Sequence, residues 1–232
     1  MAQNKRSWRS YAFEFFSIFI AVVSAFALNN WNENRRDRRA ETSILQEISN
    51  GLAKDLDDIK DNTNGHKAGM ESCAFWNRKL NGDTSGTDSV VQQWLNLTRD
   101  FVSIQNRSGY ESLKSKGLEL VQNDSLRYNI ISLYEYDYNT LLKLEEQYQE
   151  AQFHKSYFPR INAILGPHLI FDNQGQIRGL NMPLELSDEE RNEVRSYLWK
   201  IASNRYFISG FYARIDEKVR DLRAQIQQEL DD

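Results

Sequence analysis

The chain is 232 residues long, 40% hydrophobic and 27% charged, with a formal net charge of -4 and a mean hydropathy of -0.67. Those averages describe an ordinary folded domain and exclude intrinsic disorder, because large apolar residues are plentiful and the net charge is small. The single cysteine, Cys73, excludes an internal disulfide framework and a cysteine-based zinc site within one chain, and a pI of about 5.5 argues against stable duplex nucleic-acid binding as the overall design.

The averages conceal an apolar block. After a basic tail, residues 1–10, the run YAFEFFSIFIAVVSAFAL from Tyr11 to Leu28 contains one ionisable side chain, Glu14. As a helix it spans about 27 Å, enough to cross a bilayer core, so a transmembrane helix is expected over 11–30. Trp8, Tyr11, Asn29, Asn30 and Trp31 stand at the expected membrane interfaces, flanked by Lys5, Arg6, Arg35 and Arg36. The rival reading is a signal peptide cleaved after Ala25-Phe26-Ala27. Against it, the run is longer than a usual signal core, has no helix breaker, and is followed at once by arginines. Lys5, Arg6 and Arg9 on one side nearly balance Arg35, Arg36, Arg38 and Arg39 on the other. The four arginines and the unpaired cysteine favour an inner-membrane protein with its C-terminal domain in the cytoplasm.

From residue 31 to 232 the pattern predicts one helical soluble domain. Leu45, Ile48, Leu52, Leu56, Ile59, Thr63, His66, Met70, Cys73, Asn77 and Leu80 follow three- and four-residue steps, a heptad-like stripe for a helix over about 31–80. Gly51, Gly65 and Gly69 weaken it, and a kink near Asn64-Gly65 is expected. Turn-rich residues 81–88 precede a helix over 88–103 with Asp88 as N-cap, and Ser108 is expected to cap a short helix over 109–116 closed by Gly117. A long helix is expected over 124–158, started by Asn123 or Asp124 and kinked or ended by Pro159. Residues 166–186 read as irregular, with a small hairpin around Asn173 to Gly175. Ser187-Asp188-Glu189-Glu190 is a capping box. It opens a helix over 187–230 whose stripe, Val194, Leu198, Ile201, Arg205, Ile208, Tyr212, Ile215, Val219, Leu222 and Ile226, is apolar except at Arg205. The fold class is therefore all-α: a transmembrane helix continuing into long amphipathic helices that form a bundle or coiled coil.

Signals for catalysis are poor. His66, His154 and His168 lie far apart with no metal-ligand spacing, and no phosphate loop, dinucleotide fingerprint or nucleophile elbow occurs. No enzyme activity, metal or cofactor is expected. Cys73, beside Phe75 and Trp76, reads as a buried small hydrophobe. Within the apolar run, Glu14, Ser17, Ala21, Ser24, Ala25 and Leu28 share a helical face, a pattern suited to close helix packing and to a ring of acids at a pore mouth. Glu14 pairing with Arg9 or Lys5, or snorkelling to the headgroups, is the alternative. On the last helix Arg195, Trp199, Lys200, Arg205 and Tyr206 interleave basic and aromatic side chains. Such a patch could take a nucleotide or short oligonucleotide if the residues share a face; packing of the aromatics in a core is the plainer reading.

The stretch Glu14 to Glu33, an acid, an apolar run and then Asn29-Asn30-Trp31-Asn32-Glu33, resembles the N-terminal signature of a family of uncharacterised single-span bacterial membrane proteins. Tyr110-Glu111-Ser112-Leu113-Lys114-Ser115 with Gly117, and Asn123-Asp124-Ser125-Leu126-Arg127, are similar to that family's second shared block. The resemblance implies topology rather than a reaction, and the chain has Ala21, Ser24 and Ala25 where the family usually has a mid-span glycine. The layout is also similar to pore-forming membrane effectors of anti-phage defence, a likeness of architecture without a motif. The expected function is a homo-oligomeric, single-span membrane protein forming an ion-conducting pore gated by its helical domain. The alternative is a membrane-anchored scaffold or sensor. Its expected partners are the lipid bilayer and further copies of itself.

Overall fold

The computed structural model describes residues 8–231. Lys5 and Arg6, with most of the basic tail, lie outside the described residues, as does the side chain of Arg9. The fold is all-α with one small hairpin: α1 (Trp8–Leu80), α2 (Val90–Thr98), α3 (Ser108–Lys116), α4 (Asp124–Ile131), α5 (Tyr138–Glu146), α6 (Phe153–Ser156), α7 (Phe158–Leu165), β1 (Leu169–Phe171), β2 (Ile177–Leu180) and α8 (Asp188–Asp231).

Helix α1 runs for 73 residues, about 110 Å at 1.5 Å per residue. Every side chain from Phe13 to Arg39 is exposed, and the apolar run within it makes α1 long and apolar enough to cross a membrane. Burial begins at Ile44. Beyond that point α1 and α8 pack antiparallel, with Arg191 of α8 donating to the Leu80 carbonyl at one end. At the other end, Asn123 ahead of α4 donates to Glu229 of α8.

Two apolar cores share this helix pair. The first joins Leu45, Ile48, Leu52 and Ile59 of α1 to Ile208, Tyr212, Ile215, Val219, Leu222 and Ile226 of α8, closed over by Tyr110, Leu126, Tyr134 and Tyr138. The second joins Cys73, Trp76 and Leu80 to Val194, Leu198 and Ile201, closed over by α2, α6, α7 and the hairpin. All ten stripe positions of α8 are buried, Arg205 included.

Several local expectations change. Helix α1 is unbroken through Asn64-Gly65, because both glycines serve as contact points: a Cβ at Gly65 would stand 2.2 Å from the Phe101 ring, and one at Gly69 2.5 Å from Arg205 Cζ. Asn77 is exposed while Asp55, Asn62, Ser72 and Trp76 are buried, so the buried face is broader and more polar than the stripe implied. The helix expected over 88–103 ends at Thr98, where Arg205 donates to the Leu97 and Arg99 carbonyls at 3.2 and 2.9 Å and satisfies the helix end.

Asp88 lies in a 3-10 turn and Ser89 holds the N-cap without a side-chain cap bond. Ser108 is inside α3, which Arg107 precedes. The helix expected over 124–158 is divided: a π-helical turn, Ser132–Asp137, lies between α4 and α5. Helix α5 ends at Glu146, and Pro159 stands in the first turn of α7 rather than ending a helix, a position where its missing N–H costs nothing. Side chains from downstream hold this bend, with Gln152 donating to the Glu145 carbonyl and Ser156 to that of Gln149.

Asn123 caps α4, accepting from the Ser125 and Leu126 amides. Ser187 and Glu190 form the expected reciprocal box at the start of α8, and the hairpin turns at Asp172 to Gly175.

Candidate functional site: an exposed apolar helix and a buried polar seam

Two regions carry unusual physical chemistry. The first is the exposed part of α1. At 100° per residue, Glu14, Ser17, Ala21, Ser24, Ala25 and Leu28 fall within an arc of about 100°. Ser17 turns its hydroxyl back to the Phe13 carbonyl at 2.8 Å, so it contributes small size rather than an unsatisfied polar group. Trp8 and Trp31 are 82% and 58% exposed, and the Arg35 guanidinium lies over the Trp31 ring at 5.5 Å. Asn29 donates to Glu33 at 3.0 Å along the helix. Between Leu28 and the first buried residue, Ile44, lie about 24 Å of helix that carry Arg35, Arg36, Arg38 and Arg39 without touching the body's core.

The second region is the seam between the two cores. Residues 99–107 cross it without helix or strand and are fastened by carboxylates. The Ser103 amide donates to Glu145 at 2.9 Å, the Ile104 amide to Asp58 at 3.1 Å and the Asn106 amide to Asp55 at 2.8 Å. Asp55 also accepts from Tyr138 at 2.7 Å, and Glu145 from Tyr212. Burial holds the carboxyls of Glu145 and Asp58 above the usual range, and burial beside these acids raises the phenols of Tyr138 and Tyr212.

Under this strap lies a cavity of about 80 Å³ bounded by His66, Asp100, Phe101, Glu145, Gln152 and Arg205, among others. His66 is 4% exposed, packed between Phe101 and Tyr212, and neither of its ring nitrogens has a hydrogen-bond partner. Burial, reinforced by the Arg205 charge, lowers its pKa to about 4, so the imidazole is neutral at pH 7. Arg205 is 6% exposed, its guanidinium over the Phe101 ring at 5.6 Å and its Nε without a partner.

The basic-aromatic residues of α8 do not form one surface. Trp199 and Tyr206 are 70% and 75% exposed and Arg205 is buried. Lys200 is paired with Glu150 at 2.6 Å, and Arg195 donates to Asn81. Helical geometry separates them, because Arg205 occupies the core stripe while Arg195, Trp199 and Tyr206 line the edge beside it. The expected patch is thereby corrected to a buried arginine and an exposed aromatic edge. Cys73 is buried, and burial pushes its thiol up to about 11.

The seam was not legible as a site. Its acids, Asp55, Asp58 and Glu145, are scattered in sequence without spacing, and only the lone arginine in the apolar stripe of α8 signalled it. Compared with known proteins, the chain matches no protein-family model, no curated protein and no solved structure.

Proposed function

We propose that the chain is a homo-oligomeric, single-span membrane protein whose α1 helices assemble an ion-conducting pore, with the helical body holding the subunits together and gating it. The observation that carries this reading is the continuity of α1, which passes without a break from an apolar run with no buried side chain among residues 11–28 into the core shared with α8. A rearrangement of the body is thereby transmitted to the span as rotation or tilt of a single rigid element. The stretch from Asn29 to Ser43 supports assembly. Most helices in proteins draw their stability from tertiary packing, and from Asn29 to Arg39 this one is exposed throughout, its first tie to the body being Glu41, which accepts from the Gln122 amide at 2.9 Å. Neighbouring copies would supply it, and the small-residue face would let the spans approach closely in lipid. Glu14, within the first turns of the run, would then form a ring at one mouth, where acids select for cations. Arg35, Arg36, Arg38 and Arg39 favour placing the body on the cytoplasmic side of the inner membrane.

Purified protein reconstituted into liposomes is expected to conduct cations, with selectivity reduced by Glu14→Gln. Absence of conductance, or conductance indifferent both to Glu14→Gln and to dissociation of the oligomer, would sink the pore. The anchored-scaffold reading draws support from the self-contained hydrogen bond of Ser17, and it is the outcome if replacing residues 11–28 by an unrelated span preserves function.

A further inference from the structure

The geometry points to a small-anion site in the body, in which Arg205 and His66 hold a carboxylate- or phosphate-sized oxyanion beneath the strap of residues 99–107. This inference is independent of the pore and stands or falls separately from it.

Three observations converge. Arg205 is a buried cation with no carboxylate in salt-bridge contact among the described residues. One of its two terminal nitrogens, Nη2, donates to the Leu97 and Arg99 carbonyls, and its buried Nε has no partner. An unpaired buried charge is costly, and a counter-ion offsets that cost. Beside it, His66 offers two nitrogens without partners from a position more than nine-tenths buried. Both side chains line the same cavity of about 80 Å³, which has room for roughly five waters and is far smaller than the pockets that take nucleotide-sized ligands. Size therefore selects a lone oxyanion or one carboxylate.

None of the acids around the cavity is in salt-bridge contact with Arg205 among the described residues; Asp100 alone among them acts on it, through its charge at longer range. Glu150 is taken by Lys200 at 2.6 Å, Glu145 accepts from Tyr212 and Ser103, and Asp100 stands at the rim 3.9 Å from His154. Asp100 would repel an incoming anion, so its removal should strengthen binding. Gly69 belongs to the same arrangement, since any Cβ there would collide with the Arg205 guanidinium.

The test uses the full chain in detergent at pH 7, titrated with sodium phosphate and, separately, sodium acetate against sodium chloride at equal ionic strength. Two readings are followed: the melting temperature and the imidazole nitrogen resonances of His66, identified by their loss in His66→Gln. The expected result is a saturable rise and a saturable resonance shift with at least one anion. Asp100→Asn should lower the half-saturating concentration about threefold or more, and Arg205→Gln should abolish saturation. Saturation with phosphate alone or acetate alone supports the site and assigns its class. A linear, unsaturating response shared by the wild type and Asp100→Asn reflects general salt stabilisation and overturns the proposal. If Arg205→Gln fails to fold, an Asp100→Asn half-saturation equal to wild type overturns it equally.

Discussion

Gly65 and Gly69 sit in the middle of a helix, where alanine ordinarily adds about 1 kcal/mol of stability. In this chain the sign reverses, because a Cβ at either position would enter the space of the Phe101 ring or the Arg205 guanidinium. Gly65→Ala and Gly69→Ala should each destabilise by about 1–3 kcal/mol in chemical denaturation. Gly51→Ala, whose Cβ would lie 3.1 Å from Asn106 Cβ, should cost less than either. His66 gives a second test at this scale. Unfolded, it takes up a proton near 6.5, and folded near 4, so between those values the unfolded chain binds more protons and stability falls as pH falls. Its share is on the order of 3 kcal/mol, present above pH 6.5 and lost as pH approaches 4. The raised carboxyls of Asp58, Asp100 and Glu145 act in the opposite direction, binding protons more readily when folded. The dependence is therefore read as wild type minus His66→Phe, and a difference that does not shrink between pH 6.5 and 4 would show that His66 is not buried as described.

Helix ends set the boundaries of the smaller elements, and caps show it most directly. Asn123 accepts from two amides at the start of α4, and Asn123→Ala should lower stability by about 1 kcal/mol in the same denaturation experiment, with no loss arguing that solvent caps the helix equally well. Elements governed by periodicity and local capping were legible in the sequence: the α8 stripe, the Ser187–Glu190 box and the Gly117 terminator of α3, where φ is +107°. Elements governed by distant partners were not. Thr98 ends α2 because an arginine from α8 reaches its carbonyls, and α5 ends where Gln152 folds back onto Glu145. The inward turn of Asp55 and Ser72 depends on partners far along the chain, Asn106 for Asp55 and Gln93 for Ser72. An apolar-stripe reading assigns such polar residues to solvent, and here tertiary hydrogen bonds override it.

For the molecule as a whole, α1 is the one element that belongs both to the exposed apolar run and to the core. From Phe13 to Arg39 its side chains are exposed, whereas its second half is shared between two cores separated by the polar seam. In the proposed reading the seam is where the body would yield, and α1 is the element through which a change in the body would reach the span. The bulk composition, average in every respect, is the sum of these unlike parts. The account requires several α1 helices to meet, so its most direct test is the mass of the detergent-solubilised protein, with the detergent contribution subtracted, compared with that of an Ala21→Ile variant on the small-residue face. An integral multiple of the 27.2 kDa chain, reduced in the variant, is the predicted result. A monomer at concentrations where the protein is folded would contradict the pore outright.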